Sequence, residues 1–459
     1  MTAERRKSDP GAEPASPLLY LKFIIPSLIG AFVFLTPVTH NGKQTIVMGV
    51  LAEWMMKPLA GVLPTVVVGI TVISAAAAIV YLLLNPKDWA RRRPLLYAVS
   101  HVTPVWALLR TLGAVFGVMF IFQLGPQAVW GKQTGGAVFV DIGTNMVVIF
   151  LQACFLMPFL TEYGFMEFAG TLVRKAFRKL FRLPGRAAID ATASFVAAAS
   201  VGLLITINQF ERGYYSARES AVIATNFSVV SVPFALLIAN VAGLEDIFFS
   251  WYGTVVIACL ICAFVTPRLP PLSRKKDTYY EPVGRQIHEL AEGDETLLQW
   301  SITQAVAKAK GAPGVGGYLR TSSRQALDVV FGVVPPTMGL ALLTAMLVFH
   351  SDVFHVLSYP IRLLLELAGL PEAKMAAPGF IVGFLDQFMP AIIASNIDSQ
   401  VTRFLLAGLS VGQLIYLSEV GVLILRSSLP LSFGDLAWIF ALRTVLLFPV
   451  FLVAAKILT

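Results

Sequence analysis

The sequence predicts an all-α polytopic membrane protein, built as an inverted repeat with two re-entrant helical hairpins. Three observations predict it. Of 459 residues, 56% are hydrophobic and only 14% charged, with a mean hydropathy of +0.74, more apolar than one soluble core can bury. Residues 137–267 and 328–458 read as one unit written twice. The surface helices of the two copies carry opposite charge decoration, six basic residues in the first and one in the second, as the positive-inside bias requires of copies in opposite orientation.

The chain opens with a polar segment, 1–17, holding Arg5, Arg6 and Lys7. The run after it is as long as a full span, so the segment reads as a cytoplasmic tail and not a cleaved signal. Apolar runs of about 20 residues begin near Leu18, Thr65, Val102, Ala137, Ser220, Ile247, Asp328, Arg403 and Leu436, which gives nine spans. Residues 18–136 form N-terminal scaffold spans. Within them 45–63 carries Glu53 and Lys57 and reads as an amphipathic or re-entrant piece on the outer side, and Arg91, Arg92 and Arg93 mark an inner loop. The net charge of +8 sits in short clusters beside apolar runs, so the bilayer explains it and nucleic acid is not implied.

The first repeat, 137–267, places a span before a basic amphipathic surface helix bearing Arg174, Lys175, Arg178, Lys179, Arg182 and Arg186. Residues 268–327 are a cytoplasmic, partly helical linker. The second repeat, 328–459, runs in the same order, with Arg362 alone on its surface helix. The Leu-Pro pairs at 183–184 and 370–371 and the Ser-Val pairs at 228–229 and 410–411 hold the register. The middle segments, 190–208 and 378–396, are apolar enough to enter a membrane. Proline, glycine and small polar residues break each into short halves, and the charged corners after them demand return to the same side. Such hairpins survive only where their tips are buried in protein or line a wet cavity, because bare amides in lipid cost several kcal/mol each.

Intramembrane polar groups mark the candidate site. Glu419, midway along an apolar run, is a proton carrier, a cation ligand or a hydrogen-bonding partner of substrate; the structural alternative is a pair with a buried arginine such as Arg443. Asp386 and Gln387 in the second hairpin hold a cation or substrate, or cap a helix. Asp386 and Glu419 are the ion-coupling candidates. Asn226, Ser228, Gln387, Ser395, Asn396 and Gln413 are the substrate-binding candidates. Thr225, Ser231, Ser410 and Ser418 cluster with them but can simply bond back to their own helices. Ser194 and Ser200 are weaker counterparts in the first hairpin, and Asp141, Thr144 and Asn145 serve equally as scaffold contacts. Cys154, Cys259 and Cys262 lie in apolar spans and read as helix packing. No histidine pair, nucleophile elbow, phosphate loop or zinc motif occurs, so neither an enzyme nor a bound cofactor is expected beyond coupling to Na+ or H+.

The blocks FIIPSLIGAFVFLTPV, LQACFLMPFLTEYGFMEF, DATASFVAAASVGLLITINQFERGYYSARESAVIATNFSVVSVPF and LDQFMPAIIASNI followed by LSEVGVLIL resemble the bacterial YjiH-type membrane proteins. These carry nucleoside-recognition Gate domains and are related to concentrative nucleoside transporters. The resemblance spans the chain after residue 17. It implies a concentrative-nucleoside-transporter-like core of alternating hairpins and helices that moves as an elevator, with substrate held between the hairpin tips and two broken helices at 224–231 and 410–419. Three functions stand open: an ion-coupled secondary transporter of a small polar metabolite, nucleoside-like by this resemblance; a non-transporting Gate protein acting with a small membrane partner; and an intramembrane acid-base enzyme. The bacterial inner membrane, an N-terminus inside and a homo-oligomer or small membrane partner complete the expectation.

Overall fold

The computed structural model describes residues 16–40, 43–84, 100, 102–196, 199–281, 283–285 and 296–459. Arg5 to Lys7 and Arg91 to Arg93 lie outside the described residues. The protein is an all-α polytopic membrane protein, and among the described residues eight helices are long and apolar enough to span a bilayer. The ninth expected span, from Ser220, is corrected: it is two short helices, Ala217–Asn226 and Val232–Ala242, separated by an unwound stretch. Pro233 opens the second of them, where a missing N–H costs nothing.

The piece at 45–63 begins in a short β-ladder and continues as a helix. Pro37–His40 pairs antiparallel with Lys43–Ile46, and the helix Val47–Leu59 follows. The intervening sequence Asn41-Gly42 is the composition that two-residue hairpin turns favour, a signal the apolar pattern hides. Pro104–Phe122 and Val334–His350 pack so closely that Gly113 and Gly339 face each other's backbones with no room for a β-carbon, the close approach that small residues permit between membrane helices.

The linker is more than a tether. Its helix Leu297–Lys310 packs between the first span, Pro17–Leu35, and the surface helix Phe165–Ala176, burying Phe23, Ala305, Val306 and Ala309 together. Lys22 donates to the Ala312 carbonyl at 2.8 Å, and Lys308 lies 3.8 Å from Glu162. Gly164, at φ 105°, sits against the backbone of Ala305, where a β-carbon would clash. The helix Val315–Gly332 runs through the boundary placed at residue 328.

Both repeats unfold along the chain in the same order: span, surface helix, Leu-Pro, hairpin, broken helix, span. The first hairpin is Ala187–Val196 and Ala199–Glu211. Its two ends meet: Arg186 lies 4.4 Å over the Tyr214 ring, and the Tyr215 hydroxyl donates to Asp190 at 2.7 Å. The same end of the bundle holds Ser216 on Asp277 (3.2 Å), Ser428 on Glu211 (2.8 Å) and the Lys275–Asp435 ion pair (2.9 Å). The second hairpin comprises Ala373–Ala376, Gly379–Val382 and Met389–Ser395. Its ends also meet: Thr402 donates to the Pro371 carbonyl at 2.8 Å, and the Glu372 carboxylate accepts from the amides of Asp398 (3.3 Å) and Ser399 (3.1 Å). This end holds Arg403 on the Ala242 carbonyl (3.5 Å) and Lys456 on the Ala368 carbonyl (3.3 Å).

Two helices join these ends. Phe248–Val265 follows Ala242 and leads to Lys275, while Phe433–Leu458 carries Asp435 at one extremity and Lys456 at the other. At 1.5 Å per residue they are about 27 and 39 Å long. The hairpins therefore enter from opposite ends of the bundle, and neither crosses it. Single cysteines introduced at the exposed positions Arg182 and Asp398 are expected to react with an impermeant maleimide from opposite faces of the membrane. Labelling of both from one face would contradict this arrangement.

Candidate functional site

Both hairpins and the unwound stretches contribute to one cavity of about 730 Å³. One wall, the scaffold wall, comes from the N-terminal spans and from the leading span of each repeat: Trp106, Phe150, Cys154 and residues of the stretch from Gln325 to Leu340. The other comes from the hairpins and broken helices of the repeats: Ala199 at the first hairpin, Val230 to Phe234 at the first break, Leu385 to Phe388 at the second hairpin, and Tyr416 to Glu419 at the second break. The lining is mainly apolar and aromatic, with a polar floor of Asp386, Gln387, Ser418 and Glu419.

The floor is held by backbone pairing. The amides of Leu417 and Ser418 donate to the carbonyls of Phe384 (2.8 Å) and Leu385 (3.1 Å), so the second break is zipped to the second hairpin. Leu414, at φ 61°, turns the chain into the break. A non-glycine residue there costs about 1–2 kcal/mol, the kind of strain found where backbone shape serves a site. Asp386 accepts from the Phe388 amide at 2.9 Å, and the Tyr416 hydroxyl donates to Glu419 at 3.3 Å. Gln387 differs from its neighbours. It is 2% exposed, and among the described residues neither its amide nitrogen nor its amide oxygen has a partner. A buried polar group left unmet costs about 1–3 kcal/mol, and this one lies on the cavity lining.

A second polar cluster lies behind the floor. The Arg443 guanidinium, wholly buried in Phe433–Leu458, donates to the Gly412 carbonyl at 2.6 and 3.1 Å, to the Asn226 side-chain oxygen at 2.8 Å and to the Thr225 carbonyl at 3.5 Å. Gly412 and Asn226 end the first halves of the two broken helices. Each such end exposes orphan carbonyls and about half a negative charge, so one cation serves both. Among the described residues Arg443 forms no ion pair, with Glu419 or with any other carboxylate; its partners are Gly412, Asn226 and Thr225.

A family model described as Gate, nucleoside recognition, matches residues 144–245, the first repeat up to the end of its broken helix. A protein of Alkalihalophilus pseudofirmus, named uncharacterized protein BpOF4_10220, is 44% identical over 437 residues, covering 95% of this chain and 94% of the relative. The chain belongs to that protein's family. Solved structures of CNTnw align at low similarity. The inward-facing substrate-bound state has a TM-score of 0.40 and 15% identity, covering 89% of this chain and 97% of that one. An outward-facing state, solved for a doubly substituted variant, has a TM-score of 0.38 and 14% identity, covering 95% and 94%.

Of the residues singled out in the sequence, the structure brings Asp386, Gln387 and Glu419 to one cavity, with Ser231 and Ser418 beside them. The expectation that Asn226, Gln413 and Asn396 share that cavity is corrected. Asn226 is engaged by Arg443 and by Thr266 (2.6 Å). Gln413 donates to Thr444 (2.8 Å) and the Phe380 carbonyl (3.3 Å), and Ser410 bonds the Gln387 carbonyl. These two residues position the second hairpin rather than line the cavity. Ser228, Thr225 and Ser194 bond back to carbonyls four residues earlier. Ser395 and Asn396 close the last turn of the second hairpin at its partly exposed base, bonding the Ile392 carbonyl. Thr144 and Asn145 bond back within their own helix, where Asn145 also meets Asn240 at 3.4 Å. The side chain of Ser200 lies outside the described residues. The sequence reading missed the scaffold wall, because Trp106 and Phe150 look like any span residue until folding turns them inward. Among the described residues no group of three or more His, Cys, Asp or Glu side chains could hold a metal ion.

Proposed function

We propose that this protein is an ion-coupled secondary transporter of a small polar metabolite. The observation that carries this is the orphaned Gln387 amide on a cavity formed where two opposed hairpins meet two broken helices. In this reading the repeat units carry the substrate past the scaffold wall as an elevator, and the cavity opens to each face in turn. Gln387 takes the polar edge of the substrate, the aromatic wall takes its apolar body, and Asp386 and Glu419 carry the charge that couples movement to an H+ or Na+ gradient. The Gate description, nucleoside recognition, puts nucleosides first among the substrates to test. The setting is the bacterial inner membrane, with the basic end of the bundle, around Lys175, Lys179 and Lys275, on the cytoplasmic side.

Purified protein in liposomes, under an imposed proton or sodium gradient, is expected to accumulate at least one member of a panel of nucleosides, amino acids, dipeptides, amines and organic acids. Gln387→Leu is expected to reduce that accumulation tenfold or more while the unliganded protein melts no lower, because the change removes an unmet buried amide. No accumulation above protein-free liposomes, or equal accumulation by the Leu variant, would count against the proposal.

A further inference from the structure

We propose that the cavity selects an organic cation: an aryl-alkyl amine whose protonated nitrogen sits between Asp386 and Glu419 while Gln387 takes up a hydrogen-bonding edge. The inference rests on the reading of this cavity as the substrate site and narrows its substrate class. Asp386 is 2% exposed, Glu419 is half-buried, and both line the cavity. Among the described residues neither forms an ion pair. The other ionisable groups on the lining do not compensate them. Asp328 adds a further negative charge from the scaffold wall, and Tyr416 only donates a neutral hydrogen bond to Glu419. Arg426 is exposed and stands seven residues beyond Glu419, about 10 Å along a helix axis, where solvent and salt screen it. Arg443 is engaged by Gly412 and Asn226.

Two carboxylates lining one mainly apolar cavity repel each other and favour a cation between them. The neighbouring Gln387 amide, buried and without a partner, independently marks this recess as one that receives a ligand. Trp106, Phe150, Phe234, Phe388 and Tyr416 on the lining supply the π faces and apolar contact that an alkylammonium with a ring body uses. A positive charge at this point has two sources, the substrate's own amine or a coupling sodium ion. The mainly apolar lining, with its five aromatic side chains, suits the ring body of an amine and favours it over a bare ion.

Tryptamine and its neutral counterpart tryptophol distinguish these cases when titrated into the purified full-length protein, with sodium exchanged for potassium at constant ionic strength. Tryptamine is expected to bind at least tenfold tighter than tryptophol, in either salt, and to lose that advantage in both Glu419→Gln and Asp386→Asn. Two variants are used because either alone could perturb folding; each keeps a hydrogen-bond acceptor in place. Equal binding of the two probes, absence of tryptamine binding, or stabilisation by sodium alone overturns the inference. If a neutral nucleoside such as uridine then binds in a manner that Gln387→Leu abolishes, the cavity remains the substrate site and only the cationic class falls.

Discussion

Arg443→Met is expected to be the most destabilising single substitution in this chain. The guanidinium makes four hydrogen bonds to Gly412, Asn226 and Thr225 in the middle of the bundle, and methionine fills its volume without replacing any of them. Hydrogen bonds to a charged group contribute about 1.5–3 kcal/mol each. The loss leaves the ends of two half-helices, each with about half a negative charge, buried without a counter-charge. A cost of about 3–5 kcal/mol is a large share of the roughly 5–15 kcal/mol that holds a typical protein folded. Arg443→Lys should recover part of it, since the ammonium keeps the charge but cannot span both helix ends as a planar fork does. Thermal unfolding in detergent, followed by size-exclusion chromatography, reads the ordering wild type, Lys, Met. A Met variant that melts with the wild type would show that the two breaks hold without Arg443.

Glu419→Gln is expected to act on transport and spare the fold. The carboxylate has one hydrogen bond, from Tyr416 at 3.3 Å, which an amide oxygen accepts equally well, and the residue is only half-buried. Expression and melting should therefore stay close to wild type, while gradient-driven accumulation in liposomes is abolished, because the amide cannot ionise and brings no negative charge to balance a cation. Accumulation at the wild-type level, at matched protein amounts, would return Glu419 to a structural role and leave Asp386 as the coupling group. The two substitutions separate the two polar clusters: Arg443 acts through stability, Glu419 through function.

Membrane class, element order and the hairpins were legible in the sequence for a simple reason. In a bilayer every backbone amide must be satisfied within the protein, so apolar length, charged corners and Leu-Pro landmarks leave few arrangements open. The same logic found Glu419 and Asp386, since a carboxylate in an apolar run is costly enough to stand out. It could not separate Gln387 from Gln413. Both are amides in apolar surroundings, and only the fold turns one toward a cavity and the other toward Thr444 and the Phe380 carbonyl. Likewise Asn226 reads as a ligand contact because its partner, Arg443, lies more than two hundred positions away along the chain.

By itself, then, the sequence determined what must be buried in lipid, where the chain must turn back, and which side chains are too polar to be there without a reason. Tertiary structure alone decided which of those side chains answer to one another and which are left open. Hydrophobic burial depends on composition along the chain, whereas satisfaction of a polar group depends on a partner within about 3 Å, brought there from distant positions by packing. The opposed hairpins, the shared counter-charge of Arg443 and the unmet amide of Gln387 all belong to that second kind.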